Sequence, residues 1–339
     1  MLDLLKEKYF NEIYSTGFVE NDLSLPGEMI DGIRGHYAPK VLGDNDFPKF
    51  FAKNEHQAYM ESQYIGFMMS NFPNVARKWL KQMYDKQYDT AIYGECACLE
   101  RVLQYLMDNG FGEFFRARYM IGSYDVYLRS THNSRATSYH TDLPNFHHFY
   151  ETENDLSVFV PLVDLNDENG GSITVLPESK LKVPSNVLLK LLYDHFSKDP
   201  RYLDKDGYVD PDKIDKAAMQ AFGKTKAHQD LLAAHKGVIS MALRQYTKDF
   251  RKPKEKAGKV LIFSHKNFHA AEPWKNEKMD REVYILRFLP IYDVKIKLTR
   301  HLHGRPVNNF LLDMKEGTVT RFDGPVDMAK IAEGEKLRI

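Results

Sequence analysis

The strand-forming segments of this chain are short and are cut off at close intervals by Gly, Pro, Asn and Asp, and that punctuation constrains the fold more than any other feature. Arg118-Tyr-Met-Ile-Gly-Ser-Tyr-Asp-Val-Tyr-Leu-Arg129, Leu156-Ser-Val-Phe-Val-Pro-Leu-Val163 and Gly171-Ser-Ile-Thr-Val-Leu176 before Pro177 follow one another between residues 115 and 177. Val260-Leu-Ile-Phe263 and Glu282-Val-Tyr-Ile-Leu-Arg-Phe-Leu289 before Pro290 resume the pattern. β-Branched and aromatic residues in runs this brief cannot form long helices and predict an antiparallel sandwich or barrel.

Helical spacing takes over around these segments. Over residues 1–114 apolar side chains recur every three or four positions, as in Val75-Ala-Arg-Lys-Trp79-Leu80-Lys-Gln-Met83-Tyr84 and Leu99-Glu-Arg-Val102-Leu103-Gln-Tyr-Leu106-Met107, which predicts a mainly helical N-terminal part. Residues 182–256 interrupt the strands with Val187-Leu-Leu-Lys-Leu-Leu-Tyr-Asp-His-Phe196 and Asp215-Lys-Ala-Ala-Met-Gln-Ala-Phe222, read as helices of an insertion. Residues 293–339 show no strong period and read as a C-terminal extension. The expected organisation is a single domain over 1–339, α+β with a mainly β core at 115–181 and 257–292. The insert is placed where a lid would be, and a lid closing over substrate would exclude water; a decorative insertion or an oligomer contact is the other reading.

Charge and composition narrow the partners. Lys plus Arg and Asp plus Glu are 47 each, so no cationic field gathers nucleic acid or anionic lipid. Charged residues in Met1-Leu-Asp-Leu-Leu-Lys-Glu-Lys8 break the apolar core that a signal peptide needs, and no segment is apolar for long enough to span a bilayer. A cytoplasmic protein with neither nucleic acid nor membrane as partner is expected. Cys96 and Cys98 are too close to staple distant parts of a fold, and helix packing is their preferred reading over a redox or metal role.

Chemistry is concentrated in two places. In His140-Thr141-Asp142 an imidazole and a carboxylate are one residue apart, so an extended backbone puts both on one face, where they can chelate one ion. Leu143-Pro-Asn-Phe146 follows with turn chemistry, which sets the pair where a strand runs into a loop. The second place is Gly258-Lys-Val-Leu-Ile-Phe-Ser264, a strand ending in a turn that carries His265 and His269, with Arg281 at the head of the next strand. Two imidazoles and one carboxylate are the ligand set of a mononuclear non-haem Fe(II) centre, which leaves positions open for substrate and oxygen. His265 and His269 are four apart, and on a helix such a pair binds zinc; Lys266 in place of a glutamate base, and the preceding strand, favour His269 as the single ligand instead. His147, His148 and Glu151 form a further cluster, read as pocket or surface residues.

Together these motifs resemble those of the phytanoyl-CoA dioxygenase family of Fe(II)/2-oxoglutarate oxygenases. The matching segments are His140-Thr-Asp142, Gly170-Gly-Ser-Ile-Thr-Val-Leu-Pro-Glu-Ser-Lys180, residues 258–269 and Arg281, in the family's order and spacing; Tyr14-Ser-Thr-Gly-Phe18 is similar to its entry segment. Pro177-Glu-Ser-Lys180 stands where the family commonly has Pro-Gly-Ser-His, and the insert is a second departure; both bear on the substrate rather than the metal. The resemblance implies a double-stranded β-helix, a cupin-like jelly roll, with N-terminal helices and a helical insertion. It implies that His140, Asp142 and His269 hold Fe(II), with 2-oxoglutarate as cosubstrate and O2 as oxidant. Arg281 would then grip the far carboxylate of 2-oxoglutarate through two charge-assisted hydrogen bonds, with Arg287, an even number of residues on, as the alternative clamp. Tyr127, Arg129 and Thr174 sit on strands expected to line the barrel, either in contact with cosubstrate or substrate or, as readily, in buried hydrogen-bonding roles without catalysis.

The implied reaction is oxidation of an unactivated C–H bond of a small metabolite or natural-product intermediate, by hydroxylation, desaturation or cyclisation, with release of succinate and CO2. Asp142, where related halogenases carry a small residue, argues against halogenation. A cupin-like metalloenzyme that does not use 2-oxoglutarate and a non-catalytic jelly-roll binding protein are the other classes open at this point, as is the oligomeric state.

Overall fold

The strand Leu156–Pro161 is buried along its whole length, which requires both faces of its sheet to be covered. The computed structural model describes residues 9–37, 90–93, 97–130, 156–181, 191–291 and 301–322, apart from isolated positions and pairs within those spans. In chain order the elements are β1 (Phe18–Ser24), α1 (Gly27–Tyr37), β2 (Thr90–Tyr93), α2 (Leu99–Asp108), a 3-10 turn (Phe111–Phe114), β3 (Tyr119–Ser130), β4 (Leu156–Pro161) and β5 (Ile173–Leu176). A second 3-10 turn (Pro200–Tyr202) and the helices α3 (Lys216–Gly223) and α4 (Lys226–Gln245) belong to the insert. The chain continues with β6 (Lys259–Ser264), β7 (Phe268–Ala271), β8 (Arg281–Ile291), β9 (His301–Leu302), β10 (Arg305–Pro306), β11 (Asn309–Asp313) and β12 (Thr318–Phe322).

The main antiparallel sheet has the order β1-β6-β4-β8-β3-β11-β12, with β2 also paired to β3, while β5 and β7 pair in a small second sheet. Strands remote in sequence are neighbours in space, and the two sheets face each other across an apolar interior, which is the jelly-roll arrangement. Residues along each strand alternate between the faces. Val158, Val160, Ile262, Tyr284 and Leu286 point outward against Ile30, Ile33 and Tyr37 of α1 and Val102, Leu103 and Leu106 of α2. Phe159, Leu261, Phe263, Val283 and Ile285 point inward and meet Ile173, Val175 and Trp274.

The covering helices follow from their patterns. In α2 the buried positions Leu99, Val102, Leu103, Leu106 and Met107 recur at helical spacing and form a single stripe; full burial of each such side chain is worth about 1.5–3 kcal/mol. Cys98 packs against the same layer, as a helix-packing residue should; Cys96 lies outside the described residues. In the insert, the Asp215 carboxylate accepts from the Ala218 N–H at 2.7 Å and the Thr225 hydroxyl from the His228 N–H at 3.3 Å, capping α3 and α4. Ala242 of α4, with Val238 and Tyr246, packs on Leu176 and Phe268, so this helix covers the back of the small sheet. Phe196, Val209, Ala218 and Phe222 close a separate small core within the insert. The C-terminal extension, which shows no period in sequence, contributes β11 and β12 to the main sheet beside β3.

One irregularity matters for the site. On β3, Gly122 lies across from Phe288 and Asp125 across from Leu286 of β8, so three steps on one strand face two on the other. This β-bulge switches the parity of β3: Met120 and Gly122 face the helices before it, and Asp125, Tyr127 and Arg129 do so after it. Among the described residues no helix is long and apolar enough to cross a membrane.

Candidate functional site

β7 brings His269 to the inside of the barrel. It lies directly across from Val175 of β5, a residue of the interior cluster, and is 6% exposed, with its ring centroid 5.0 Å from that of Phe263. Its Nδ1 is 3.0 Å from the Asn267 carbonyl oxygen. A carbonyl can only accept, so Nδ1 carries the hydrogen and the neutral ring's lone pair is on Nε2. That is the tautomer, and the backbone support, of an imidazole suited to bind a metal through Nε2.

Asn267, which stands out in the sequence only as part of a turn, is the piece that holds this arrangement. Its Nδ2 donates to the carbonyls of Thr16 and Leu176, each at 3.0 Å, tying the turn to the N-terminal segment and to β5. Gly17 makes room for it: φ is 78° there, and a Cβ would stand 2.5 Å from the Asn267 Oδ1. His265 is also buried but belongs to the turn ahead of β7, so strand register does not aim it into the barrel.

Arg281, the first residue of β8, is 5% exposed. Its Nε donates to the Gly171 carbonyl at 2.8 Å and its guanidinium carbon is 5.8 Å from the centroid of the Phe159 ring. With Nε engaged, a carboxylate would be met end-on through the two Nη groups, the bidentate geometry that arginine offers and lysine does not. Gly171 has φ 74°, and a Cβ on it would stand 2.8 Å from the Arg281 Cδ, so only glycine lets the side chain approach this closely.

Beside Arg281 lies a carboxyl that the sequence did not single out. Glu255 is 3% exposed, and both its oxygens take the Ile173 N–H, at 3.0 and 3.2 Å. Burial pushes its carboxyl up to about 8, against the smaller downward pulls of the Ile173 N–H and the nearby Arg281. In sequence it sits in Arg251-Lys-Pro-Lys-Glu-Lys256, a charged run that reads as solvated surface.

For Tyr127, Arg129 and Thr174 the geometry favours the buried or structural role over contact with the cosubstrate. Tyr127 is buried on the helix-covered face, stacked on Tyr37 at 4.7 Å, and burial together with its hydrogen bond to Glu282 raises its hydroxyl well above the usual range. Glu282 in turn pairs with Arg34 at 2.9 Å. Arg129 is on the same face and its Nε donates to Asp280 at 2.5 Å. Thr174 alternates with the inward Ile173 and Val175 and lies on the back of β5 across from Ala270. On β3 the parity change at the bulge turns Val126 and Leu128, rather than Tyr127 and Arg129, to the inside. Arg287 does share the inward face of β8 with Arg281, and donates through Nη1 to the Ser157 hydroxyl.

His140 and Asp142 lie outside the described residues, as do His147, His148 and Glu151. Among the described residues no group of three His, Cys, Asp or Glu side chains could hold a metal ion. The described part of the barrel supplies one inward imidazole, His269, and one buried guanidinium, Arg281; the other expected donors belong to the sequence between β3 and β4.

No family model matches the sequence, and no curated protein matches it. Solved structures do align with the chain. One is the non-heme alpha ketoglutarate dependent carbocyclase SnoK from nogalamycin biosynthesis, with 11% identity, 88% of this chain and 92% of that one covered, and a TM-score of 0.49. Another is the non-heme alpha ketoglutarate dependent epimerase SnoN from the same biosynthesis, at 12% identity, 89% and 87% coverage and a TM-score of 0.42. A nickel complex of the non-heme monooxygenase ThoJ aligns at 10% identity over 86% and 79% of the chains, with a TM-score of 0.43. At these values the chemistry of the site is carried by the side chains of this protein alone.

Proposed function

We propose that the chain is an Fe(II)- and 2-oxoglutarate-dependent dioxygenase that oxidises an unactivated C–H bond of a small metabolite or natural-product intermediate, releasing succinate and CO2. The observation that supports it most is the presence, inside one barrel, of an imidazole fixed by its Nδ1–H on a backbone carbonyl and a buried guanidinium anchored through Nε. His140 and Asp142 would join His269 as ligands. Their segment leaves β3 at Ser130, directly across from Arg281, and enters β4 at Leu156, directly across from Ser264, so both its anchors flank the candidate site.

Bound Fe(II) would supply the redox chemistry that side chains lack. The protein's own work is binding and orientation. Arg281 holds the far carboxylate of the 2-oxo acid and so sets which end of it points toward His269. Phe159 and Phe263 line the intervening wall and keep water out of it. In this reading the protein works in the cytoplasm on a small-molecule substrate.

The test is succinate formation and oxygen uptake by protein loaded anaerobically with Fe(II) and given 2-oxoglutarate, for wild type and for His140→Ala, Asp142→Ala and Arg281→Ala. Slow turnover without added substrate that disappears in the ligand variants is expected. Bound iron with no affinity for 2-oxoglutarate would indicate a metalloenzyme of another kind, and failure to bind iron would remove the site altogether.

A further inference from the structure

Asparagine is followed by glycine at two places in this chain, Asn109-Gly110 and Asn169-Gly170. Glycine has no Cβ to shield its nitrogen, so at such a step that nitrogen can attack the preceding side-chain amide. An N–Cγ bond forms, the Cγ–Nδ2 bond breaks, and ammonia leaves with the peptide proton. Water then opens the five-membered imide at one carbonyl or the other, giving aspartate or isoaspartate. We propose that Asn109 is the site at which the folded protein undergoes this modification, and that the fold locks Asn169 against it. This holds whatever the barrel catalyses.

The two sites differ in restraint. The Asn169 side chain is held at both ends: its Nδ2 donates to the Asp164 carbonyl at 2.9 Å, and its Oδ1 accepts from the Asn276 Nδ2 at 2.9 Å. Its backbone is held as well, the N–H donating to the Asn166 Oδ1 at 2.7 Å and the carbonyl accepting from the Lys275 N–H at 2.8 Å. The attacking nitrogen, that of Gly170, donates to the Asn166 carbonyl at 2.7 Å, and Gly170 lies so close to Pro273 that a Cβ would stand 2.3 Å from its carbonyl oxygen. Reaction there requires two loops to part together. Asn109, by contrast, is exposed and caps the C-terminus of α2. Among the described residues its side chain is held by one bond, from Nδ2 to the Tyr105 carbonyl of the same helix end at 2.8 Å. The Gly110 nitrogen donates to the Met107 carbonyl at 3.2 Å, also within that turn. Helix ends fray, so opening one turn releases both the nitrogen and the amide.

The product bears on the fold. Aspartate at 109 loses the donor to Tyr105 and sets a negative charge at the carbonyl end of α2, which the helix macrodipole disfavours. Isoaspartate adds a backbone atom just ahead of the turn that leads to the fully buried Phe111. Either change loosens a helix that covers the main sheet.

The experiment is incubation of the full chain at mildly alkaline pH and physiological temperature, folded and in urea, with aspartate plus isoaspartate at each site followed over time by peptide mapping. In urea the two sites should convert at similar rates, because glycine follows both. In the folded protein Asn109 should convert faster than Asn169 by about tenfold or more. A folded protein in which Asn169 keeps pace with Asn109, or in which neither site converts while both do in urea, would overturn the proposal without need of any variant. Asn276→Ala, a change at a half-buried loop position, should speed conversion at 169 and leave that at 109 alone; an unaltered rate at 169 would show that the lock is not the one drawn from these bonds. Asn109→Asp should unfold at a lower temperature than wild type, and an unchanged midpoint would sink the link to α2.

Discussion

Arg281 and Gly171 are fitted to each other: the arginine Nε donates to the glycine carbonyl at 2.8 Å, in a place where a Cβ on residue 171 would stand 2.8 Å from the arginine Cδ. Gly171→Ala should therefore do double damage. The backbone at φ 74° is strained for any residue with a Cβ, at a cost of about 1–3 kcal/mol, and the arginine must move. We expect a lower unfolding midpoint together with at least a tenfold weaker affinity for 2-oxoglutarate. Loss of stability with affinity intact would show that Gly171 does not place Arg281.

Metal content distinguishes the paired histidines of the β6–β7 turn. His269→Ala should leave the protein unable to retain iron through desalting, because the one inward-facing imidazole of β7 is gone. His265→Ala should retain it. The reverse result, read by elemental analysis of the loaded variants, would transfer the ligand role to His265.

Tyr127→Phe tests the side of the sheet to which this residue belongs. The change removes a hydroxyl that hydrogen-bonds Glu282 on the helix-covered face, so about 1–2 kcal/mol of stability should be lost. The dissociation constant for 2-oxoglutarate should stay within twofold of wild type. A large loss of affinity would place the ring in contact with the cosubstrate after all.

Stability should carry the signature of Glu255 as a function of pH. Its carboxyl is raised from 4.5 to about 8 in the folded protein, so between these values the native state holds a proton that the unfolded chain has released. The contribution is then fully present below about pH 4, and it is lost as pH rises through 8; its limiting size is roughly 4–5 kcal/mol. Urea unfolding at pH 5.5 and pH 9 should show a smaller decline for Glu255→Gln than for wild type. Parallel declines would mean that Glu255 is ionised in the native state at neutral pH.

A buried network on the far face of the sheet offers a control remote from the cosubstrate. The hydroxyls of Tyr37 and Tyr284 donate to the same oxygen of the fully buried Asp125, at 2.5 and 2.8 Å. Tyr284→Phe removes one charge-assisted bond and should cost about 1.5–3 kcal/mol in denaturant unfolding, with iron retention unchanged. Loss of iron in this variant would show that the two faces of the sheet are coupled.

Much of the barrel was legible because its signals are local. Leu156-Ser-Val-Phe-Val-Pro161 announces a doubly covered strand by being apolar almost throughout, and Leu99 to Met107 announces a surface-packed helix by its period. The strand positions of His269 and Arg281 were legible because an imidazole just past one strand and an arginine at the head of the next are local facts too. The faces of Tyr127 and Arg129 were not, since an alternation counted along β3 loses its phase at the bulge between Gly122 and Asp125. The strands β11 and β12 escaped notice because pairing with β3, which is remote in sequence, holds them in place.

By itself the sequence determined the punctuated core strands, the period of α2 and which residue types are available for chemistry, because turn formers, apolar period and donor atoms are properties of short stretches of chain. Only the tertiary structure decided which side of each strand faces the interior, that Asn267 braces His269, and that the acid in Arg251-Lys-Pro-Lys-Glu-Lys256 is buried against Ile173 beside Arg281. The physical reason is that burial, register and the field at a titrating group depend on residues far away in sequence, and they come into being only when the sheets close on each other.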